Sequence, residues 1–428
     1  MKFTQNEATN QRIERISMKH AVVGIDIAKD KHVAQIADFR GRVLTPYHLS
    51  FDNTLDGFQK LMSWVKKTQQ KFGLHSCIFG LEPTGHYWFN FANWLHEQNH
   101  DVVLVNPVTT HRNKENRDNS PSKNDPKDAI IIADLVSRGY YTEYAPQEKV
   151  FEQLKTVMSD REFWSKQRGS IKNRIIRWID INFPEFHRVF KNWEVPRALA
   201  TLRAFPLPSD LRKMRIDDVI EGWREHGMNR AGGARGRSKA AQLIATAERS
   251  ISHKKNNASR DATRQELERL LNEYDRLCSF LQEIEENIIT LLGEIPVAQQ
   301  LQSIPGLGTI AIAAILGFGG DPSNYAHGRQ LLRRAGLNLA ECTSGKYKGQ
   351  IKLSKRGSSG LRKHLYLATV GLLKENPDFK QWHEKNQSKG MTKMASLFKL
   401  IGKLARIVIG MVQRGEMYRA QQQVLEAA

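Results

Sequence analysis

Two features are scarce in this sequence: long apolar runs and cysteine. No apolar run approaches the roughly 20 residues that a membrane-spanning helix needs, and residues 1–20 lack the apolar core of a signal peptide. The cysteines Cys77, Cys278 and Cys342 are too far apart for a disulfide framework or a zinc site. We therefore expect a cytoplasmic protein with reduced thiols and no membrane partner.

Positive charge, by contrast, is abundant. The chain has 65 lysines and arginines against 45 aspartates and glutamates, which gives a formal net charge of +20 over 428 residues. A protein this basic is expected to bind polyanions, and nucleic acid is the expected class of partner. The length is sufficient for two or three domains, each with its own core.

The first third of the chain has the pattern of a mixed α/β domain. Short strands joined by tight turns are predicted at residues 21–28, 34–39 and 43–51, as an antiparallel meander. A helix follows from Leu55 to Val65. Next come a strand at 77–81, a helix at 87–98, a strand at 101–105 and a helix after residue 125. Three antiparallel strands followed by alternating α and β elements is the order of the ribonuclease H-like fold.

Four acidic residues stand where these elements begin or end. Asp26 lies in an otherwise apolar strand, and burying an unpaired carboxylate is costly. Glu82 follows the next strand, where polar residues of a mixed sheet commonly line a site. Asp125 and Asp128 lie three residues apart at the start of a helix, so they would share one face and could share one cation. Pro126 suits a first helical turn, and Asp125 is the expected N-cap.

The four carboxylates could together hold two divalent ions roughly 4 Å apart, as in enzymes of phosphoryl transfer. Ligands that are all oxygen favour Mg²⁺ or Mn²⁺. Each acid also has an ordinary interpretation, because Asp26 could be capped by a backbone N–H and the other three could be cap or first-turn acids of helices. Their occurrence in this order of elements favours the metal site.

A polar loop at residues 111–122 precedes the second acid pair. It has no apolar periodicity and carries many charged and amide side chains. Such a loop beside an acidic site is suited to phosphate contacts, and a solvated surface loop is the equal alternative.

Basic residues recur along long helices predicted within residues 148–182. They alternate with apolar residues, as in an amphipathic helix that contacts a nucleic-acid backbone. The candidates are Lys166, Arg168, Lys172, Arg174 and Arg177. A solvated helix face is the alternative. Residues 187–260 are less periodic, and the basic segment Gly232–Lys239 is predicted to be flexible, either as an RNA contact or as a linker.

The clearest periodicity in the chain is a heptad pattern. Apolar residues follow 3-4 spacing over more than three heptads, and charged residues flank them. The apolar positions are Leu267, Leu270, Tyr274, Leu277, Leu281, Ile284, Ile288 and Leu291. A coiled coil is expected, either within one chain or between protomers, and the second arrangement predicts a homo-oligomer, a dimer or a tetramer.

The C-terminal part has the pattern of a mainly helical domain. Residues 301–315 resemble half of a helix-hairpin-helix, whose glycine-rich turn leads into a helix N-terminus that can bind phosphate. Helices are predicted at 361–374 and 391–412. The glycine-rich segment 343–362 between these elements is a candidate phosphate-binding loop. Its basic candidates are Lys346, Lys348, Lys355, Arg356 and Arg362.

Four segments resemble the DEDD transposases of the insertion-sequence one-ten family. They are Gly24–Lys29, Leu81–Trp88, Asn106–Pro107 and Lys123–Ala129. The resemblance extends from about Val22 to about Leu404, with a small departure at Pro83. It implies a RuvC-like N-terminal domain with four metal-binding catalytic acids, and Lys123 beside them is a candidate nucleic-acid contact. The acids are Asp26, Glu82, Asp125 and Asp128.

The same resemblance implies a C-terminal transposase domain whose Ser-Gly motif carries a nucleophilic serine. By that match the nucleophile is Ser344, and Ser354, Ser358 and Ser359 are its rivals by chemistry. Ser354 has the position of an N-cap or a phosphate ligand. The resemblance also implies element and target DNA as partners, guidance by a structured bridge RNA, and a prokaryotic, nucleoid-associated location.

The expected organisation has six parts. They are a lead-in (1–20), a RuvC-like domain (21–147), a basic helical and linker region (148–260), a coiled coil (261–296), a transposase domain (297–415) and a tail (416–428). The expected function is a DNA transposase that acts through a serine–DNA link. Three alternatives stay open: a hydrolytic RuvC-type nuclease or junction resolvase, a DNA invertase of the same family, and a non-catalytic nucleic-acid-binding protein.

Overall fold

The chain forms two compact units. The computed structural model describes residues 7–120, 124–146, 148–252, 257–340, 343–344, 347–348 and 352–420. Unit 1 comprises Met1–Pro146, and unit 2 comprises Gln147–Ala428. No described helix in either unit is long and apolar enough to cross a membrane.

Unit 1 is a mixed sheet with helices. Its strands are β1 (His20–Asp26), β2 (Lys31–Ala37), β3 (Leu49–Asp52), β4 (Ser76–Leu81), β5 (Asp101–Leu104) and β6 (Thr142–Glu143). Its helices are α1 (Glu7–Glu14), α2 (Leu55–Phe72), α3 (Phe89–Glu97), α4 (Pro107–Arg112) and α5 (Asp125–Ser137). The strand order is β3-β2-β1-β4-β5-β6. The pairs β1–β4 and β4–β5 are parallel, and the other pairs are antiparallel. The predicted mixed α/β class is confirmed.

β1 is buried on both faces because helices cover both sides of the sheet. Val23 and Ile25 pack in one cluster with Phe58 of α2 and Phe91 of α3. Val22 points to the other cluster, which contains the apolar residues of α5. A nearly continuous apolar strand is typical of a sheet covered on both sides, and the one acid of this strand lies at its end.

The third predicted strand is shorter than expected. We predicted residues 43–51, whereas β3 covers only Leu49–Asp52, and an isolated bridge pairs Val43 with Ala37. Pro46 lies between these two pairings and has no backbone N–H to donate to a ladder. The meander is therefore interrupted where the proline occurs.

Unit 2 is mostly helical. Its helices are α6 (Lys149–Asn182), α7 (Phe186–Val189), α8 (Pro196–Ala204), α9 (Pro208–Leu211), α10 (Ile216–Glu225), α11 (Ala234–Glu248), α12 (Asn257–Gly293), α13 (Pro296–Gln302), α14 (Thr309–Gly319), α15 (Gly328–Arg334), α16 (Ser359–Glu375), α17 (Pro377–Ser388) and α18 (Lys393–Arg414). Four two-residue strands form two small ladders. They are β7 (Leu339–Ala340), β8 (Thr343–Ser344), β9 (Tyr347–Lys348) and β10 (Lys352–Leu353), paired as β7–β10 and β8–β9.

The heptad residues are covered by the same chain. α6 and α12 are antiparallel, because Arg161 of α6 contacts Glu285 of α12 (2.6 Å) while Trp178 of α6 donates to the carbonyl oxygen of Thr263 (3.1 Å). All heptad positions are buried except Ile284, which is partly buried. Of the two predicted arrangements, helix pairing within one chain is the one found, so this pattern does not require a second protomer.

The segment 187–260 is not the linker that its weak periodicity suggested. It contains α7 to α11, which build a core of their own around the fully buried Trp223 together with parts of α6 and α12. The prediction of a flexible patch at Gly232–Lys239 is wrong, since α11 begins at Ala234. A Cβ at Gly236 would lie 1.7 Å from the carbonyl oxygen of Ala231, so the close approach of the chain requires glycine there.

A tight turn joins α13 and α14, as the helix-hairpin-helix pattern predicts for these residues. Gly306 in this turn has a φ of +85°, a conformation that favours glycine. Gly308 caps α14 with extended backbone and offers no side-chain hydrogen bond to the helix.

Candidate active site

β1 and β4 place Asp26 and Glu82 side by side. The strands are parallel, and their register pairs Ile25 with Leu81, so the acid that follows on each strand lies at the same edge of the sheet. Both acids are half-buried. Glu82 accepts a hydrogen bond from Oγ1 of Thr84 (2.8 Å). This edge, at the carboxyl ends of parallel strands, is where α/β proteins commonly build their sites.

α5 brings the second acid pair to the same edge. A Cβ at Gly24 of β1 would lie 2.0 Å from the carbonyl oxygen of Ala129, so α5 crosses β1 there. The C-terminal end of α5 lies back along the strand, because Ser137 donates to the carbonyl oxygen of Asp38 (3.5 Å). The helix and the strand are therefore antiparallel. From this crossing, the first turn of α5 is roughly 6 Å away, and the end of β1 is roughly 7 Å away.

The cap of α5 differs from the prediction. Asn124, not Asp125, is the N-cap, and its side chain accepts a hydrogen bond from the backbone N–H of Lys127 (2.8 Å). Asp125 is the first helical residue and is exposed, whereas Asp128 is 5% exposed. Because an amide does the capping, the helix does not need the Asp125 carboxylate for that purpose.

Asp128 has one charged partner and one unsatisfied oxygen. Nζ of Lys114 lies 3.1 Å from Oδ2, and the side chains of Lys114 and Asp128 are 19% and 7% exposed. Oδ1 is buried and has no hydrogen-bond partner among the residues that the structure describes. Two unit charges at this distance attract by about 5 kcal/mol at an effective dielectric constant of about 20, but desolvation offsets much of that attraction. The carboxylate can therefore accept a further cation at Oδ1.

Lys114 belongs to a segment that ion pairs fix to α5. This strap, residues 113–120, lies between α4 and α5. Arg117 donates to Oδ1 of Asp134 (2.7 Å), and its hydrogen bonding to Asp134 is the main cause that raises the pKa of Arg117. The buried Lys127 donates to Asp118 (2.7 Å), which lowers the pKa of that carboxyl. The predicted phosphate-contacting loop is thus ordered by contacts with the acid-bearing helix.

The four acids fit a divalent ion only in part. In the portion of the chain that the structure describes, no three His, Cys, Asp or Glu side chains are grouped closely enough to hold a metal ion. The buried Oδ1 of Asp128, which has no partner, fits a cation, and an all-oxygen donor set fits Mg²⁺ or Mn²⁺. An ion would therefore have to draw the other carboxylates toward Asp128. Lys123 lies outside the described residues.

The predicted nucleophile lies in unit 2, on a short hairpin. Ser344 is the second residue of β8, and its backbone pairs with Tyr347 of β9. Its side chain, that of Lys348 and the whole of Lys346 lie outside the described parts of the structure. The structure therefore gives the backbone position of Ser344 and says nothing of its hydroxyl group.

Two of the three rival serines have local structural contacts. Oγ of Ser354 donates to Oδ1 of Asn338 (2.6 Å). Ser358 is the N-cap of α16 and accepts from the N–H of Leu361 (3.2 Å). Of the two roles predicted for Ser354, the N-cap is therefore wrong, and the phosphate ligand stays a prediction. Ser359 is the first residue of α16 and is exposed.

The basic residues near this segment fall into two groups. Lys355 and Arg356 are exposed, and Lys355 has a φ of +53°, which is uncommon for a residue with a side chain. Arg362 instead donates to the carbonyl oxygens of Ala335 (2.8 Å) and Lys355 (3.4 Å). Its guanidinium group thus holds the loop against the end of α15. Gly357 lies so close to the backbone at that end that a Cβ would not fit there.

The basic residues of α6 divide in the same way. Nζ of Lys172 lies 2.6 Å from Glu194. Burial would raise the pKa of Glu194, but hydrogen bonds from Lys172 and Tyr274 outweigh it and lower that pKa. Arg168 is half-buried, whereas the remaining three candidates are exposed. Those exposed residues are Lys166, Arg174 and Arg177.

Sequence reasoning did not find a partly buried ion cluster in unit 2. Glu162 of α6 contacts Nε2 of His364 (2.5 Å) and Nζ of Lys363 (2.7 Å), both on α16. Burial lowers the pKa of His364 despite the raising effect of Glu162. Glu162 is about 200 positions along the chain from Lys363 and His364, and no periodicity links them. Lys114 was missed for a similar reason, since its polar segment gave no sign of its partner.

Comparisons with known proteins identify the family. A transposase model of the DEDD type matches residues 23–184, and a model described as the transposase IS116/IS110/IS902 family matches residues 298–384. The chain belongs to the IS110 (insertion-sequence one-ten) family of transposases. Both predicted motif regions, the acids and the Ser-Gly segment, lie within the matched residues.

Curated relatives agree with this assignment. The "Mini-circle putative transposase for IS117" of Streptomyces coelicolor is 23% identical over 76% of this chain and 77% of its own length. The "Transposase for insertion sequence element IS1328" of Yersinia enterocolitica is 34% identical over 23% of this chain and 30% of its own length. The "Pilin gene-inverting protein" of Moraxella bovis is 28% identical over 35% of this chain. That match spans 44% of the Moraxella protein, less than half of its length.

Proposed function

We propose that this protein is a DNA transposase or recombinase of a mobile insertion element. The observation that carries the proposal is the register of β1 and β4, which puts Asp26 beside Glu82 at the edge that the first turn of α5 approaches. Family membership supports the same activity. The RuvC-like character of unit 1 belongs to this proposal, and the strand order of the mixed sheet supports it.

The acids would hold one or two divalent ions, Mg²⁺ or Mn²⁺, through carboxylate oxygens. Such an ion supplies Lewis-acid polarisation of a phosphate. The protein's own contribution is to fix the acids on rigid elements, with Asp26 and Glu82 at strand ends and Asp125 and Asp128 in one helical turn. Asp125 is exposed to solvent, whereas Asp128 is buried in the core, so one carboxylate of the pair is accessible and the other is fixed by packing.

Ser344 is the proposed nucleophile. Its oxygen would attack the scissile phosphorus and lose its proton, a serine–phosphate bond would form, and the bond from phosphorus to the leaving deoxyribose oxygen would break. The free hydroxyl end of DNA would then be rejoined by the reverse exchange. Lys355 and Arg356 are exposed near this segment and would offset phosphate charge. Arg362 is better explained as a structural residue of the loop.

The partners are proposals of the same kind. A net charge of +20 supports binding to element and target DNA, and an excess of this size also supports a structured bridge RNA. A homo-oligomer remains a proposal, because the apolar heptad residues of α12 are buried within one chain and do not require a second protomer.

Site-specific inversion is the second candidate reaction. The relative from Moraxella bovis is named a pilin gene-inverting protein. Inversion and transposition differ in which DNA ends are joined, and both need the same cleavage and rejoining steps. The acids and Ser344 would have the same roles in either reaction.

A recombination assay in cells tests the proposal. A plasmid carries the element with its native flanks, and joined or inverted DNA is counted after expression of the protein. Asp26→Asn and Glu82→Gln should each abolish the product. Asp56→Asn is the control for the loss of one acid outside the proposed set, since Asp56 is an exposed acid in the first turn of α2. Full activity of Asp26→Asn would contradict the proposed site.

A further inference from the structure

The pair of Lys114 and Asp128 has a feature that an ordinary buried ion pair lacks. Nζ of Lys114 contacts only one carboxylate oxygen, Oδ2, at 3.1 Å. The second oxygen, Oδ1, is buried, and no residue in the described part of the chain forms a hydrogen bond with it. A complete structural pair would satisfy both oxygens, since an unsatisfied buried acceptor is costly. Asp128 is therefore held by a cation from the chain and remains able to bind another.

The strap keeps this ammonium group close to Asp128. Three residues after Lys114, Arg117 donates to Asp134, two helical turns along α5. Asp118 accepts from the buried Lys127, the neighbour of Asp128. A group held in place by flanking contacts acts at a high effective concentration, because its encounter with Asp128 is intramolecular. Lys114 is thus a strong internal partner for this carboxylate.

An ammonium group and a divalent ion on the same carboxylate repel each other. Their repulsion is twice that of two unit charges at the same distance, because it follows the product of the charges. Screening by salt is weak for a pair that is mostly buried. A neighbouring group that hydrogen-bonds to a metal ligand orients that ligand, and mutation of such a group typically lowers metal affinity by about 10- to 100-fold. We expect the repulsion to outweigh that benefit.

We propose that Lys114 competes with the divalent ion for Asp128 and thereby sets the ion affinity of the acidic site. The inference rests on the metal role of Asp128 in the proposed function. Binding of an ion to this carboxylate displaces the ammonium group from Oδ2. The strap residues Arg117 and Asp118 stay attached to α5, so only the Lys114 side chain has to move.

The test is direct titration of the full-length protein with Mn²⁺, with free Mn²⁺ measured by electron paramagnetic resonance. Lys114→Met removes the charge at similar length and should tighten Mn²⁺ binding at least about tenfold. Lys114→Arg keeps a cation and should bind Mn²⁺ like the wild type. Arg117→Gln is the comparison variant, because it weakens the strap but leaves the charge of Lys114 in place, so it should tighten Mn²⁺ binding less than Lys114→Met does. Thermal unfolding of each variant verifies that it is folded.

The same titration in an Asp128→Asn variant tests whether Lys114 affects Mn²⁺ binding through this carboxylate. In that background Lys114→Met should no longer change Mn²⁺ affinity, since the shared carboxylate is gone. Weaker or unchanged binding by Lys114→Met would overturn the inference and leave Lys114 as a positioning residue. Equal tightening by Arg117→Gln would overturn it too, because a loosened strap would then explain the gain. If neither the wild type nor any variant binds Mn²⁺, the metal role in the proposed function fails and the inference fails with it.

Discussion

Asp128 of unit 1 and Glu162 of unit 2 are both paired with lysine, and the difference between them distinguishes a complete structural contact from a candidate site. Glu162 uses both oxygens, because His364 and Lys363 contact Oε1 and Lys363 also contacts Oε2. Asp128 uses one oxygen with Lys114, and its other oxygen is buried without a hydrogen-bond partner in the described ranges. The fold itself completes the contacts of Glu162. No described residue contacts the second oxygen of Asp128, so this carboxylate has an acceptor that the described fold leaves unused.

The largest effect should follow from Asp128→Asn. A carboxylate that binds a catalytic ion contributes several kcal/mol to the stabilisation of developing charge, and each 1.36 kcal/mol is tenfold in rate. We expect recombination to fall at least about 100-fold, measured on purified protein with element DNA. The fold should persist, because the mutation removes only one of the three ion pairs that join the strap to α5. Retention of more than a tenth of the activity would contradict the interpretation of Asp128 as a site residue.

Glu162→Gln should affect stability and leave the chemistry unchanged. The substitution leaves His364 and Lys363 without their carboxylate, and loss of a hydrogen bond to a charged group costs about 1–3 kcal/mol. Chemical denaturation should show this decrease in the free energy of unfolding, while recombination per folded molecule stays near the wild-type value. An unchanged free energy of unfolding would show that the Glu162 cluster does not stabilise unit 2.

The pH dependence of stability should report the same cluster. Burial lowers the pKa of His364 from 6.5, so the unfolded chain takes up this proton before the folded chain does. The stabilisation is present above pH 6.5 and is lost as the pH falls below that value toward the lowered pKa. Glu162, whose pKa is also lowered from 4.5, adds a second loss below pH 4.5. Thermal unfolding between pH 7.5 and 5.5 should therefore show a decline that His364→Gln makes shallower.

The smallest expected effect is on DNA binding, and it distinguishes the exposed basic residues of α6 from the one that is ion-paired. Arg174 and Arg177 are exposed, whereas Lys172 contacts Glu194. If the exposed pair contacts phosphates, each change to Gln should reduce the salt slope of duplex binding by about one. Lys172→Gln should leave the slope nearly unchanged. Equal slopes for all three variants, measured by fluorescence anisotropy at several salt concentrations, would indicate a solvated helix face.

The arrangement of unit 1 was largely predictable from the sequence. Local sequence patterns predicted that Asp26 lies in an apolar strand and that Asp125 and Asp128 lie at the start of a helix. Strand and helix periodicity depends on neighbouring residues, so it can be recognised in the sequence alone. The N-cap was misassigned by one position, from Asn124 to Asp125, because both residue types cap helices well. Pro46 was a visible signal for the short third strand that the pattern analysis did not use.

The partners of charged residues were not predictable. Lys114 and Asp128 are 14 residues apart with an irregular segment between them, and Glu162 is about 200 residues from His364. Ion pairs of this kind follow from tertiary packing and have no sequence period. The segment 187–260 was underestimated for a related reason, since several short helices share one core and none is long enough to give a strong pattern alone.

The most direct measurement of the central claim is covalent trapping. Protein, element and target DNA, the RNA transcribed from the element's flank, and Mg²⁺ are mixed and then denatured in detergent. The account predicts DNA linked to the wild-type protein and no adduct with either Ser344→Ala or Asp125→Asn. Cleaved DNA ends without an adduct, formed equally well by Ser344→Ala, would contradict the account in favour of a hydrolytic nuclease.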